Sequence, residues 1–226
     1  MKNIKAVIFD FDGTLYDHKG AVRKLLKELK FSHKLLAGAE RRVRSRLKGI
    51  YTGDRQSFDE RFFYEFSRIV KKSPQELQTW YDSVYLEAMI TSLKKNFKAR
   101  ANVNRLLTFL KEQEIKTAVY SDYSKTKERM EALNINTATV TGIFNAEDLG
   151  GLKPAVQLLY KITEELKVKP EETLFIGDRS DTDGKGALAA GMNYIQVLTH
   201  KTKKNEETLN WGEICQIIQA HFLKNE

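Results

Sequence analysis

Residues Val7-Ile8-Phe9-Asp10-Phe11-Asp12-Gly13-Thr14-Leu15 set two carboxylates one residue apart at the end of a short apolar run. The run reads as a buried strand, and Gly13 as the point where the chain turns sharply away. Two like charges so close to a core raise each other's pKa and add to the cost of burial. A divalent cation would supply the missing charge, and Asp oxygens are the hard ligands that Mg²⁺ prefers. An isolated D-x-D-G segment also fits a solvated acidic loop. The other strand ends decide between these readings.

Ile115-Lys116-Thr117-Ala118-Val119-Tyr120 is rich in β-branched residues and runs into Ser121-Asp122. Thr173-Leu174-Phe175-Ile176 runs into Gly177-Asp178, with Asp181 and Asp183 close behind. Lys153 lies in Gly150-Gly151-Leu152-Lys153-Pro154, ahead of a helix predicted over 154–167 with Pro154 as its first residue. Asp10 and Asp178 suit Mg²⁺, with a backbone carbonyl, a substrate oxygen and waters completing an octahedron. Asp10 as a carboxylate nucleophile would split one difficult phosphate-ester hydrolysis into two easier steps through an aspartyl-phosphate. Asp12 is spaced to protonate the leaving oxygen and later to deprotonate the attacking water. Ser121, with Asp122 beside it, offers a hydroxyl and backbone N–H groups to phosphate oxygens. Lys153 would clamp the phosphate against Asp10, helped by a helix N-terminus. Taken singly, Lys153 reads as a surface lysine and Ser121 as a helix cap or turn residue.

Strands are expected at 4–10, 115–120, 142–144, 173–176 and 193–198. Helices are expected at 101–113, 124–133, 154–167, 184–190 and 206–223. Such alternation implies a parallel sheet with helices on both faces, which binds ligands beyond the carboxyl ends of its strands. Asp10, Ser121 and Asp178 therefore converge on one rim. Residues 16–95 differ in texture, with helices expected at 19–30, 39–50, 57–71 and 74–90 and no strand. The third carries a stripe of Phe58, Phe62, Phe63 and Phe66, read as packing. The fourth opens on Ser73-Pro74-Gln75-Glu76, a capping box with Pro in the first turn.

The three strand-end motifs and the Lys153-Pro154 motif, in this order, resemble those of the haloacid dehalogenase (HAD) superfamily of phosphohydrolases, over nearly the whole chain. The resemblance implies Asp10 as nucleophile and Asp12 as general acid and base. It also implies Asp10, the Asp12 carbonyl and Asp178 as metal ligands, and a second acid after Asp178. Asp183 fits that spacing, and Asp181 is expected to be a turn residue. The implied fold is a Rossmann-like α/β core (1–15 and 96–226) with an inserted type-1 helical cap (16–95), joined by linkers near 16–20 and 92–99. The implied activity is Mg²⁺-dependent hydrolysis of a small phosphorylated metabolite. A sugar phosphomutase shares every core residue. A dehalogenase typically lacks the second Asp of the first motif, and a phosphate-binding regulator without turnover has little use for it, so Asp12 disfavours both. Tyr16, His18, Arg41, Arg44, Tyr51 and Arg55 are the cap-side residues expected to meet the leaving group.

The 226 residues suffice for a sizeable core, with 41% hydrophobic and 30% charged residues. No apolar stretch is long enough to span a bilayer, and the amino-terminal run lacks a signal-peptide pattern, so no membrane partner is expected. Cys215 is the sole cysteine, which fits a reducing cytoplasm. The four histidines are scattered and show no zinc spacing. The net charge of +8 is concentrated partly in Arg41-Arg42-Val43-Arg44-Ser45-Arg46-Leu47-Lys48. That segment reads as a solvated helix face, and without interleaved aromatics it predicts no nucleic-acid partner.

Overall fold

The computed structural model describes residues 3–200, 202 and 208–223. Six parallel strands form one sheet: β1 (Ala6–Asp10), β2 (Lys116–Ser121), β3 (Gly142–Asn145), β4 (Thr173–Gly177), β5 (Asn193–Val197) and β6 (Thr208–Leu209). Their spatial order is β3-β2-β1-β4-β5-β6, which puts the DxD strand in the interior of the sheet. Asp10 pairs in register with Tyr120 on one side, and Phe9 with Ile176 on the other. The carboxyl ends of β1, β2 and β4 are therefore level, as expected for a shared rim.

Side chains alternate across β1 with the period of two that a pleated strand imposes. Val7 and Phe9 join a core with α6 (Val103–Glu112), α7 (Thr126–Ala132) and α10 (Trp211–Leu223), through Leu106, Leu110, Met130, Ile214 and Ile218. Ala6 and Ile8 face α8 (Val156–Glu165) and α9 (Lys185–Ala189), through Leu158, Leu159, Ile162 and Ala187. Both faces are covered, which explains the near-continuous apolar composition of the strands. This is the Rossmann-like α/β fold anticipated from the alternation.

Between β1 and α6 run α1 (Ala21–Glu28), α2 (Phe31–Arg46), α3 (Arg55–Val70), α4 (Pro74–Trp80) and α5 (Leu86–Asn96). They share a separate apolar cluster around Val43, Phe58, Phe62, Phe66, Leu77 and Tyr81. A π-helical turn, Tyr81–Tyr85, joins α4 to α5 and stacks Tyr81 on Tyr85 with ring centroids 5.6 Å apart. The Ser73–Glu76 capping box forms as expected.

Several boundaries differ from expectation. Helix α2 starts at Phe31, not near 39, because its first turns point Phe31 (84% exposed) and Leu35 (75%) outward and so carry no inward stripe. Helix α5 continues to Asn96, burying Ser92 and Leu93. Pro154 does not open α8, which begins at Val156. Tertiary bonds hold the preceding loop out of the helix: Lys153 N–H donates to Asp122 Oδ1 (2.9 Å), and the Lys153 carbonyl accepts from Gly49 N–H (3.1 Å). The short strand β6 occupies the start of the expected 206–223 helix, which begins only at Trp211; residues 206 and 207 lie outside the described set.

The helical segment is tied to the α/β part by more than its two linkers. Leu152 N–H donates to the Ile50 carbonyl (3.0 Å), and Thr52 N–H to the Gly150 carbonyl (2.8 Å). Gly150 and Gly151 permit this, since a Cβ on either would collide with the backbone of Asp54 or Ile50. Among the described residues, no helix is long and apolar enough to cross a membrane.

Candidate active site

A cavity of about 610 Å³ opens at the carboxyl ends of β1, β2 and β4, lined by Asp10, Asp12, Asp122, Lys153, Asp178 and Asp183, among others. A hollow of similar size, about 620 Å³, lies outside α1 and has no carboxylate in its walls. The polar strand ends thus share one chamber, at the place where open parallel sheets bind ligands.

Asp10, Asp178 and Asp183 each bring a carboxylate oxygen within 4.8 Å of the others, and all three residues are buried. Asp183 stands on a π-helical turn, Ser180–Gly184, and reaches inward across Gly177. A Cβ on Gly177 would lie 2.6 Å from the Asp183 Cβ, so only glycine admits this approach. Gly13 is likewise fixed by geometry: its φ of +96° suits glycine, and a Cβ there would strike the Asp178 carboxylate. Asp181 turns outward to Arg179 (2.8 Å) and to Lys48 in the turn after α2. The hydrogen bond from Arg179 is the main reason its carboxyl is lowered to about 2. Of the two candidates for second acid, the cluster contains Asp183.

Lys153 Nζ is the cation of this cluster, 2.6 Å from Asp10 Oδ1 and 3.0 Å from Asp183 Oδ1. Burial alone would lower its pKa, but Asp10, Asp183 and Asp122 outweigh it and raise the ammonium well above its usual value. One ammonium faces three acids. Burial, reinforced by Asp183 and Asp178 and opposed by Lys153, holds Asp10 well above the ordinary carboxylate value. Burial and Asp183 likewise raise Asp178, to about 7. Asp178 Oδ1 is buried without a hydrogen-bond partner. A surplus of close oxygens and one unsatisfied acceptor fit a hard divalent cation, with Asp10, Asp178 and Asp183 as the side chains to hold it.

Asp12 sits differently from its neighbour. Its side chain turns away from the acidic cluster and accepts from Tyr16 Oη (2.6 Å), Ser121 Oγ (3.0 Å) and Arg129 (2.5 Å). Burial would raise its pKa, but Arg129 and the hydrogen bonds from Tyr16 and Ser121 lower it overall. Its carbonyl, not its carboxylate, is what Asp12 has left for a metal. Ser121 is fully buried and is held by Asp12, Arg129 (2.9 Å) and Tyr123 N–H (3.2 Å). The Asp122 carboxylate accepts from Lys153 N–H and thereby orients the lysine loop. For a phosphate, Asp122 therefore offers backbone in preference to a carboxylate.

Of the six cap-side residues, His18 lines the chamber, and Tyr16 and Arg41 line an adjoining hollow. Arg44 and Arg55 do not project into the chamber. Arg44 donates to Glu40 (2.8 Å), Glu147 (2.6 Å), Tyr81 (2.9 Å) and the Asp122 carbonyl (3.2 Å), and lies over the Tyr123 ring. Arg55 pairs with Asp59 (2.7 Å), Asp148 (2.5 Å) and Ser124 (2.8 Å). Their charges are consumed in joining the helices to the sheet. Tyr51 packs against the α8 side of the sheet core and bridges to Gly151.

Sequence reasoning missed Arg129 and Glu147. Arg129 lies in α7 beside the exposed Lys127 and Glu128, and nothing in its local pattern separates it from a solvated lysine. Glu147 belongs to the loop after β3, where an acidic residue ordinarily signals solvent.

The family model for haloacid dehalogenase-like hydrolases matches residues 4–191. A glyceraldehyde 3-phosphate phosphatase of Methanopyrus kandleri is 36% identical over 61 residues, a segment covering 27% of this chain and 26% of that protein. The 2-haloacid dehalogenase of Pseudomonas syringae pv. Tomato shares the fold at a TM-score of 0.64, with 18% identity, 98% of this chain and 99% of that one covered. A HAD hydrolase of Bacillus subtilis, whose structure is bound to magnesium and reveals interdomain movement, gives a TM-score of 0.65 and 17% identity, covering 96% of this chain and 99% of that one. The fold, the matched span and the four motifs together make this chain a member of the haloacid dehalogenase-like hydrolase family.

Proposed function

We propose that the protein is a Mg²⁺-dependent phosphatase of a small phosphorylated metabolite, working through an aspartyl-phosphate on Asp10. The observation that carries this reading is the buried Asp10–Asp178–Asp183 cluster with its unpartnered Asp178 oxygen. A haloacid carries no phosphoryl charge to neutralise, whereas a phosphate monoester approaching a carboxylate nucleophile does. When bound, Mg²⁺ would offset the charge of the acids and polarise the phosphoryl oxygens.

The chain's own groups supply the rest. Asp10 Oδ2 accepts from Thr14 Oγ1 (2.9 Å) and Oδ1 from Lys153, which fixes the plane of the attacking carboxylate. Lys153 is permanently charged at neutral pH and can meet both the nucleophile and an incoming phosphate oxygen. Attack by a carboxylate oxygen on phosphorus forms the acyl-phosphate and breaks the ester bond. Asp12 enters the first step protonated and delivers that proton to the departing oxygen; as the carboxylate it then takes a proton from water, whose oxygen attacks phosphorus, breaks the P–O bond to Asp10 and releases inorganic phosphate. Its pairing with Arg129 favours the carboxylate form, which suits the water-activating half of that cycle. Helices α1–α5 are proposed to act as the cap that excludes water and reads the leaving group. The magnesium and interdomain movement of the Bacillus subtilis relative agree with both the ion and a moving cap.

The test is turnover of acetyl phosphate and of p-nitrophenyl phosphate with and without Mg²⁺. Asp10→Asn should remove phosphate release by several orders of magnitude while the fold, read by circular dichroism, is kept. Unchanged rates in this variant would sink the mechanism.

A further inference from the structure

Next to the acidic chamber lies a smaller hollow of about 180 Å³, between the start of α1, α5 and α7. It shares Asp12, His18, Val22 and Tyr123 with the chamber, so the two adjoin at the side where a leaving group would depart. Most of its other wall is carbon, from Tyr16, Leu25, Met89, Leu93 and Phe97, and Tyr85 and Arg41 line it too. Two buried polar groups in it are unsatisfied. Ser92 is 3% exposed and its Oγ has no partner; Arg129 is fully buried and its Nε has none either. An Arg Nε–H can only donate, and a Ser hydroxyl can do either, so an oxygen acceptor arriving from outside would satisfy either group. Buried donors left unmade are costly in a protein interior, and an apolar hollow gives them no internal remedy.

We propose that this hollow receives the alcohol portion of the substrate, and that the alcohol is compact, with an apolar body and one oxygen acceptor. The inference rests on the phosphatase reading and narrows its substrate class to aryl or branched-alkyl phosphate esters. Size and chemistry both select. At about 180 Å³ the hollow falls below the roughly 300–1,000 Å³ of drug-sized ligand sites, which suits a group smaller than a nucleoside or disaccharide. A sugar of similar bulk would bring several hydroxyls, each needing a partner, against walls that are mostly carbon. Asp12 is committed to the bridging ester oxygen, and its carboxylate already accepts from Arg129, Tyr16 and Ser121.

Phosphonates, which do not hydrolyse, read the hollow independently of turnover. With Mg²⁺ present, benzylphosphonate should bind about tenfold more tightly than methylphosphonate in calorimetry, a gap of about 1.4 kcal/mol. Met89→Lys or Leu25→Gln, both half-buried positions, should erase that gap and leave methylphosphonate binding unchanged. A ring oxygen should add to it: 3-hydroxybenzylphosphonate should bind several-fold better than benzylphosphonate, and Ser92→Ala should abolish that gain. Equal binding of methyl and benzyl phosphonates, or tighter binding of 2,3-dihydroxypropylphosphonate, would overturn the proposal. Acetyl phosphate turnover, measured alongside, reports on the phosphatase reading alone. Absent turnover with an intact benzyl preference would defeat hydrolysis and still support the ligand class.

Discussion

Lys153 and Arg44 are both set among acids, and they are opposite in kind. Lys153 faces Asp10 and Asp183 at an open chamber, with an Asp178 oxygen left over. Arg44 lies between Glu40 and Glu147, where no oxygen is left over. Glu40 Oε2 takes the Tyr85 hydroxyl (3.1 Å), and Glu147 takes Tyr81 (2.6 Å) and the Ser124 N–H (3.0 Å). Every guanidinium nitrogen of Arg44 is engaged. Burial raises Glu40 despite Arg44, whereas at Glu147 the arginine and the surrounding donors win and lower the pKa. A buried charge network with every member satisfied rigidifies; one with an unmet acceptor at a cavity is prepared for a ligand. The first belongs to scaffolding and the second to chemistry.

The comparison breaks most sharply under substitution of the two cations. Lys153→Met should slow acetyl phosphate turnover by about 10²- to 10³-fold, the usual loss of one charge-stabilising donor. Arg44→Met should spare chemistry per folded molecule but lower stability to denaturant by about 3–5 kcal/mol, because Glu40 and Glu147 would remain buried without their cation. If Arg44→Met instead abolished turnover in a stably folded protein, the division between scaffold and site would fail.

A smaller effect comes from protons. Burial raises Asp10 and Asp178 in the folded state, Asp178 to about 7, so folding favours their protonated forms. Their contribution to stability is fully present below the ordinary carboxylate pKa and is lost as pH rises through the folded values. Without divalent cation, the melting temperature should therefore fall between about pH 4 and pH 7. Mg²⁺ should restore it, more at pH 8 than at pH 5, since binding competes with those protons. A melting temperature indifferent to Mg²⁺ at both pH values would count against the ion site.

The smallest expected effect is at Arg41, which lines the apolar hollow with an exposed side chain and no ion pair among the described residues. Arg41→Ala should leave the melting temperature unchanged and shift only the ranking of phosphate esters by kcat/KM. A loss of stability like that of Arg44→Met would show that the helix face had been misread.

The sequence alone determined the sheet and the acids at its rim. Apolar runs of strand length, each ending in a polar residue, are local signals, and alternation with helices leaves few topologies for them. Between Asp181 and Asp183 the family resemblance favoured Asp183, and the fold brings that residue beside Asp10 and Asp178. Tertiary structure decided which charges are spent. Arg44 and Glu147 are 103 positions apart, and Arg129 and Asp12 are 117 apart. No local pattern links such residues, so Arg44 looked like a site residue and Arg129 like nothing at all. It likewise decided where α8 begins, because Lys153 and its loop are held by Asp122 and Gly49 and not by the helix that follows. A strand's core-facing side is written in its own residues, whereas a charge takes its role from partners that only folding brings within reach.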